Sequence, residues 1–262
     1  MLWEAWQYFT TPVALPLAKE MGFLEEAIAM AARRKRCRAE WDTHFQNCQT
    51  TIREAVERCT QKRKIVIMGA GSLLDVPLDY LAQEFDEVCL IDLVFLKDAR
   101  KRVKPFSNVR LIEQDVTDSL AACQKGAVQA KPALNPQGHK AWLDLSEVDC
   151  LVSLNLLSQL PLIPVSWLMK HFGISEQQAD VLAKQLINEH LNLLNACSGV
   201  KCLIADRWVT EIDTQGQEVD GFDPLWEVSV PEVQKSWDWR VIPLGEINTP
   251  TAQVNRVGVS IY

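Results

Sequence analysis

The sequence predicts an α/β protein of three layers, with helices on both faces of a mostly parallel, seven-stranded sheet that ends in an antiparallel hairpin and follows an N-terminal helical extension. Three observations predict it. From Lys64 onward, short apolar β-branched runs alternate with helical stretches, the pattern of βαβ units. Before Lys64 the chain is poor in glycine and carries apolar residues at three/four spacing. Near the C-terminus two strand-like runs are joined by too few residues for a crossover helix, so that pair must be antiparallel.

The elements follow in order. Trp41, Phe45, Cys48, Ile52, Val56 and Cys59 form one helical stripe, and residues 1–63 are expected to be a helical extension or lid lying against residues 64–262. Cys37, Cys48 and Cys59 recur every 11 residues, about three helical turns, which predicts three thiols on one face of one helix. KIVIMGAG (64–71) reads as the first strand and its turn, Leu73–Phe85 as a helix, and EVCLIDLV (87–94) as the second strand. Lys97–Val103 is helical, NVRLIEQDV (108–116) a third strand, Ser119–Lys125 a helical start, and Gly126–His139, with Pro132, Pro136 and Gly138, a loop. Val148–Leu154 is the fourth strand. Leu151–Met169 has no formal charge, but Pro161 and Pro164 break a spanning helix, so a buried strand followed by a loop is expected instead. Ser175 caps a helix running to Cys197. VKCLIADRWV (200–209), WDWRVIPL (237–244) and RVGVSIY (256–262) complete the strands, with a short turn around Asn248–Gln253.

Composition narrows the function. With 48% hydrophobic and 23% charged residues, the chain is an ordinary globular one. Its net charge of −7 argues against a surface that coats nucleic acid. The basic run Arg33–Arg38 reads first as a solvated helix face and only second as an anion contact. The start, MLWEAWQYFTTP, lacks the pattern of a signal peptide. Eight cysteines without a CxxC pair or a Cys/His cluster at zinc spacing predict reduced thiols, a cytoplasmic setting and no metal. The tryptophans of the C-terminal third (Trp208, Trp226, Trp237, Trp239) read as core and strand packing.

Four strand ends carry the chemistry. Gly69-Ala70-Gly71-Ser72 closes the first strand, where glycines allow a sharp turn and close approach of a ligand. Asp92, with Leu93 after it, ends the second strand 21 residues beyond Gly71, and a carboxylate there can accept from both hydroxyls of a ribose. Asp115-Val116 follows the third strand, and Asn155 leaves the fourth in Ser153-Leu154-Asn155-Leu156-Leu157.

Taken in this order, with the terminal antiparallel hairpin, these residues resemble the class I, Rossmann-like S-adenosylmethionine-dependent methyltransferases over about 200 residues. The resemblance implies that the glycine loop lies beside the amino-acid part of the cosubstrate. It also implies that Asp115 accepts from the adenine amino group while the Val116 N–H meets the ring, and that Asn155 faces the transferable methyl. The sequence departs from the pattern at Leu73, where a third glycine is usual, and at Ile67, where an acid is usual. Leu156-Leu157 replace the prolines of the Asp/Asn-Pro-Pro-aromatic motif, so adenine or glutamine methylation of that kind is not expected.

The expected activity is methyl transfer from S-adenosylmethionine to an unknown acceptor, small or macromolecular, without membrane association. Two alternatives stand beside it: a binding module that has lost catalysis, and an NAD(P)-dependent oxidoreductase. The latter would continue with a parallel sixth strand and has no need of an acid at Asp115. A general base is required only if the acceptor must lose a proton. Of the four histidines, His44, on the N-terminal helix beside Phe45, is the first candidate. His190 reads as a satisfied core histidine, and His139 and His171 as loop residues.

Overall fold

The computed structural model describes residues 2–135, 142–247 and 250–262; Pro136, Gly138 and His139 of the expected loop, and Asn248 of the expected turn, lie outside them. Eight strands form one sheet in the order β3-β2-β1-β4-β5-β8-β7, with β6 paired to β5. The strands are β1 (Lys64–Met68), β2 (Glu87–Asp92), β3 (Val109–Glu113), β4 (Cys150–Leu154), β5 (Val200–Ile212), β6 (Glu218–Phe222), β7 (Lys235–Ile242) and β8 (Ala252–Ile261). Neighbours from β3 to β5 are parallel, and β8 runs antiparallel to both β5 and β7. The strand order reverses between β1 and β4, the point at which open α/β sheets bind ligands outside their carboxyl ends.

Both faces of the sheet are covered, so its central strands are apolar on both sides. Ile65, Ile67, Val88, Leu90, Val152 and Ile204 face α4 (Arg38–Glu57), α5 (Leu78–Glu84) and α6 (Lys97–Val103). Val66, Met68, Ile91, Leu151 and Leu203 face α9 (Glu176–Ala196). The expected stripe from Trp41 to Val56 is buried on α4 and shares this core with the sheet. Ser175 caps α9 in a reciprocal capping box with Gln178. The earlier helices, α1 (Leu2–Thr10), α2 (Pro16–Glu20) and α3 (Phe23–Arg36), pack as a separate cluster against Leu93, Val94 and Leu96 beyond β2.

Several local expectations are corrected. Beside the expected seven-strand path, an eighth strand among the described residues pairs with β5. Strand β6, in a hairpin turned by Asp213 and Gly216, is almost wholly exposed and has no buried apolar alternation to betray it. The helix expected from Leu73 begins only at Leu78. Leu73 takes φ +62°, and Pro77 disfavours helical geometry at Val76. The loop expected after β4 holds a helix, α8 (Leu162–Phe172), and His171 lies in its last turn, stacked on Trp167. Pro161 and Pro164 sit at the start of α8, where missing N–H groups cost nothing. The three thiols do not share one helix: Cys37 separates α3 from α4, and Cys59 lies beyond the end of α4. A short helix, α7 (Leu120–Cys123), completes the set. Among the described residues no helix is long and apolar enough to cross a membrane.

Candidate active site

The carboxyl ends of β1, β2, β3 and β4 open into one cavity of about 740 Å³, roofed by α1 and α3 and walled by α4 and α8. That volume falls within the usual range for small-molecule sites, roughly 300–1,000 Å³. Gly69, Ala70, Gly71, Ser72, Asp92, Leu93, Asp115, Val116, Asn155 and His44 all line it. The structure therefore gathers every candidate residue singled out from the strand ends and the N-terminal helix.

The glycine turn is shaped by close backbone approach. Gly69 has φ +83°, and a Cβ there would lie 2.4 Å from the Leu154 carbonyl oxygen, so β1 and β4 close together only because that position is bare. Gly71, at φ +43°, donates its N–H to Asp92 Oδ2 at 2.8 Å, while Leu93 N–H donates to Oδ1 at 2.7 Å. The Val94 N–H also bonds this carboxylate, which leaves one acceptor position for a hydroxyl. Burial raises this carboxyl to about 6, against the lowering effect of the Gly71 and Leu93 N–H groups.

Asp115 is buried and serves the chain itself. Its Oδ1 accepts from Thr117 N (2.8 Å) and Thr117 Oγ1 (2.7 Å), and its Oδ2 from Leu120 N (2.9 Å) at the start of α7. One lone pair on Oδ2 remains, enough for a single N–H donor. The Ser72 side chain is exposed and Val116 is buried at the cavity edge.

A second polar group occupies the β4 side. Asn155, at φ +49°, has Nδ2 3.4 Å from Asp75 Oδ2 and 3.2 Å from His44 Nε2. His44 stacks on Trp239 with ring centroids 3.9 Å apart, and its Nδ1 accepts from Trp237 Nε1 at 3.1 Å. Burial drives the imidazole down to about 3, so it is neutral at physiological pH. With Nδ1 accepting from an indole that can only donate, the ring proton sits on Nε2. The candidate base is therefore a hydrogen-bond donor toward Asn155 and Cys48. His44, Cys48 and Asp75 place their ligand-type atoms within 4.8 Å of one another. A metal does not fit them as they stand, because the imidazole nitrogen facing the group carries its proton.

The sequence reading does not single out Asp75, because it assigns that residue to a helix. Its signal was Val76-Pro77, which marks a turn and leaves Asp75 on the loop beyond the glycines. Burial raises its carboxyl to about 7. Trp237 and Trp239, expected as packing, hold His44. His190 is a core residue as expected, bonded to Ser153 Oγ at 2.9 Å. Part of the basic run is paired within the chain: Arg34 and Arg38 with Asp42, and Arg36 with Glu246 at 2.6 Å.

The strand order, with antiparallel β8 inserted between β5 and β7, is that of the class I, Rossmann-like S-adenosylmethionine-dependent methyltransferase fold. Among the described residues, the place beside β5 where a dinucleotide-binding dehydrogenase has a parallel sixth strand is taken by antiparallel β8. No family model matches the chain, and no curated protein matches it. Solved structures to which it is similar include the N-methyltransferase NodS from Bradyrhizobium japonicum WM9 in complex with S-adenosyl-L-homocysteine, at 12% identity, over 81% of this chain and 85% of that one, with a TM-score of 0.37. An rRNA methylase from Streptococcus thermophilus is 12% identical over 80% of this chain and 94% of that one, with a TM-score of 0.35. DhpI, in its SAM-HEP complex, is 11% identical over 90% of this chain and 79% of that one, with a TM-score of 0.38.

Proposed function

We propose that this protein is an S-adenosylmethionine-dependent methyltransferase acting on a small molecule enclosed between the strand ends and helices α1 and α3. One observation carries the reading: the glycine turn, Asp92, Asp115 and Asn155 line a single cavity at the switch point of the sheet. The free lone pairs support it. Asp92 keeps one for a ribose hydroxyl, and Asp115 keeps one for an adenine N–H. The Gly69–Ser72 turn would hold the amino-acid portion, with Leu93 and Val116 against the purine. The cover that α1 and α3 place over the strand ends favours a small acceptor over a macromolecular one.

When bound, the cosubstrate supplies a methyl group already activated on a sulfonium, so the protein need only align the acceptor and exclude water. The apolar roof residues Trp3, Phe23 and Met30 suit that exclusion. Calorimetric titration with S-adenosylhomocysteine and with NAD⁺ tests the reading. Saturable binding of the first and none of the second is expected; the reverse would make this a dinucleotide site. Turnover is tested by transfer of labelled methyl to a panel of small nucleophiles, and binding without transfer to any of them would leave a cosubstrate-binding module.

A further inference from the structure

We infer that Asp75 is the proton acceptor of this site and that the methyl acceptor is a small aliphatic amine entering as its ammonium ion. The inference rests on the proposed methyltransferase reading and deepens it. Asp75 lines the cavity on the loop beyond the glycine turn, beside Asn155, the residue that leaves β4 at the switch point.

The hydrogen bonds around Asn155 show how the carboxyl is handled. As placed, the Asn155 amide points Nδ2 at both Asp75 and the protonated Nε2 of His44, while its Oδ1 is buried without a hydrogen-bond partner among the described residues. Two donors thus face each other across 3.2 Å. Rotating the amide by half a turn puts Oδ1 between them, where it accepts from His44 Nε2–H and from Asp75 only if Asp75 is protonated. The unrotated amide instead donates to an ionised Asp75. The amide therefore offers one orientation for each protonation state of the carboxyl, and the His44–Trp237 pair, locked by the indole, biases it toward the protonated one. The groups facing Asp75 are His44 and Cys48 from α4, Asp92 from β2 and Arg102 from α6. Both α4 groups are neutral, since burial drives the imidazole down and the Cys48 thiol up. A carboxyl that burial raises to about 7 is matched to taking a proton at neutral pH.

An ammonium is the acceptor this carboxylate favours. An ionised carboxylate partly withdrawn from water is stabilised by a positive partner, which an ammonium supplies and a phenol or alcohol does not. Methylation then requires one proton transfer. An N–H bond of the ammonium breaks, its electron pair stays on nitrogen, and the proton forms an O–H bond with Asp75. The freed pair attacks the methyl carbon as the carbon–sulfur bond breaks onto sulfur, leaving a thioether and a methylated ammonium. An aliphatic nitrogen has no conjugated lone pair to reorient, which agrees with the absence of the two prolines after Asn155.

The test uses the full chain and readouts other than turnover. Carboxyl-carbon NMR of aspartate-labelled protein, with Asp75 assigned through Asp75→Asn, is expected to show a midpoint at least two pH units above an ordinary aspartate, falling by one unit or more in His44→Ala. Calorimetry with n-butylamine and n-butanol, each added to protein saturated with S-adenosylhomocysteine, is expected to show tighter binding of the amine. Asp75→Asn should weaken the amine tenfold or more and leave both the alcohol and S-adenosylhomocysteine within threefold. An ordinary midpoint for Asp75, or an amine affinity untouched in Asp75→Asn while S-adenosylhomocysteine still binds, overturns the inference and leaves the methyltransferase reading intact. Failure of the wild type to bind S-adenosylhomocysteine overturns both.

Discussion

The two sides of the cavity floor are built by different means. At the ends of β2 and β3 the two cavity-lining carboxylates bond mostly to near neighbours: Asp92 to the next N–H, and Asp115 to residues two and five positions on. Of the bonds to these two carboxylates, the one from Gly71 reaches further, across 21 residues. On the β4 side the bonds of Asn155, and that between His44 and Trp237, are long-range. Asn155 meets His44 across 111 residues and Asp75 across 80, and His44 meets Trp237 across 193. The first side is fixed largely by local turn chemistry at the strand ends. The second exists only after α4, β4 and β7 have packed, so it is the side on which this chain can differ from others of the same fold.

The seam between the two sides gives the largest expected effect. Gly69→Ala places a Cβ 2.4 Å from the Leu154 carbonyl oxygen at a positive φ, so β1 and β4 must separate. A loss of about 2–4 kcal/mol in unfolding free energy is expected from strain and clash together. Urea denaturation measures it, and a loss below ~1 kcal/mol would show that the strand ends part easily and are not one rigid floor.

Next in size is a substitution that acts on one side only. Asp92→Ala removes the acceptor of the Gly71 and Leu93 N–H groups and the proposed ribose contact. S-adenosylhomocysteine affinity is expected to fall by roughly 1–3 kcal/mol, the range for hydrogen bonds to a charged group. His44→Ala, on the other side, should leave that affinity within about threefold. Equal losses in the two variants would mean that the sides are not functionally separate.

A pH titration of stability sharpens the same contrast, because His44 and Asp75 act with opposite signs. His44 has a folded value of about 3, below its ordinary 6.5, so its contribution is full above 6.5 and is lost as pH falls toward 3. Asp75 has a folded value of about 7, above its ordinary 3.8, so its contribution is full below 3.8 and is lost as pH rises through 7. Between those limits the two largely offset each other in the wild type. Asp75→Asn removes the second, so its stability relative to wild type should climb between pH 4 and 7, by at most about 1.4 kcal/mol per unit. A flat difference across that range would mean that Asp75 titrates as an exposed carboxylate.

What the sequence disclosed follows the same division. Gly69, Gly71, Asp92 and Asp115 were legible because each sits at a fixed offset from an apolar run, and the terminal antiparallel pair because its connection is too short for a helix. Asp75 was hidden in a stretch read as helix, although Val76-Pro77 marked the turn. Helix α8 was hidden by prolines that begin it rather than end it. That His44 is a neutral donor, not a base, required Trp237 and Trp239, and no spacing rule connects residue 44 with residue 237. Periodicity reports burial and turns; it does not report which distant side chain completes a hydrogen bond.

The smallest effect belongs to the roof. Glu246 accepts from Arg36 at 2.6 Å and lies 3.9 Å from Arg33, tying the end of α3 to the segment between β7 and β8. Arg36 is more than half exposed, so water and salt screen the pair. Glu246→Gln should lower stability by less than ~1 kcal/mol, and raising the salt concentration should shrink the difference further. The floor variants should show no such salt dependence, since their effects arise from strain and from buried hydrogen bonds. A salt-insensitive loss above that limit in Glu246→Gln would place the roof anchor within the cooperative core, and the distinction between a rigid floor and a lightly fastened roof would have to be abandoned.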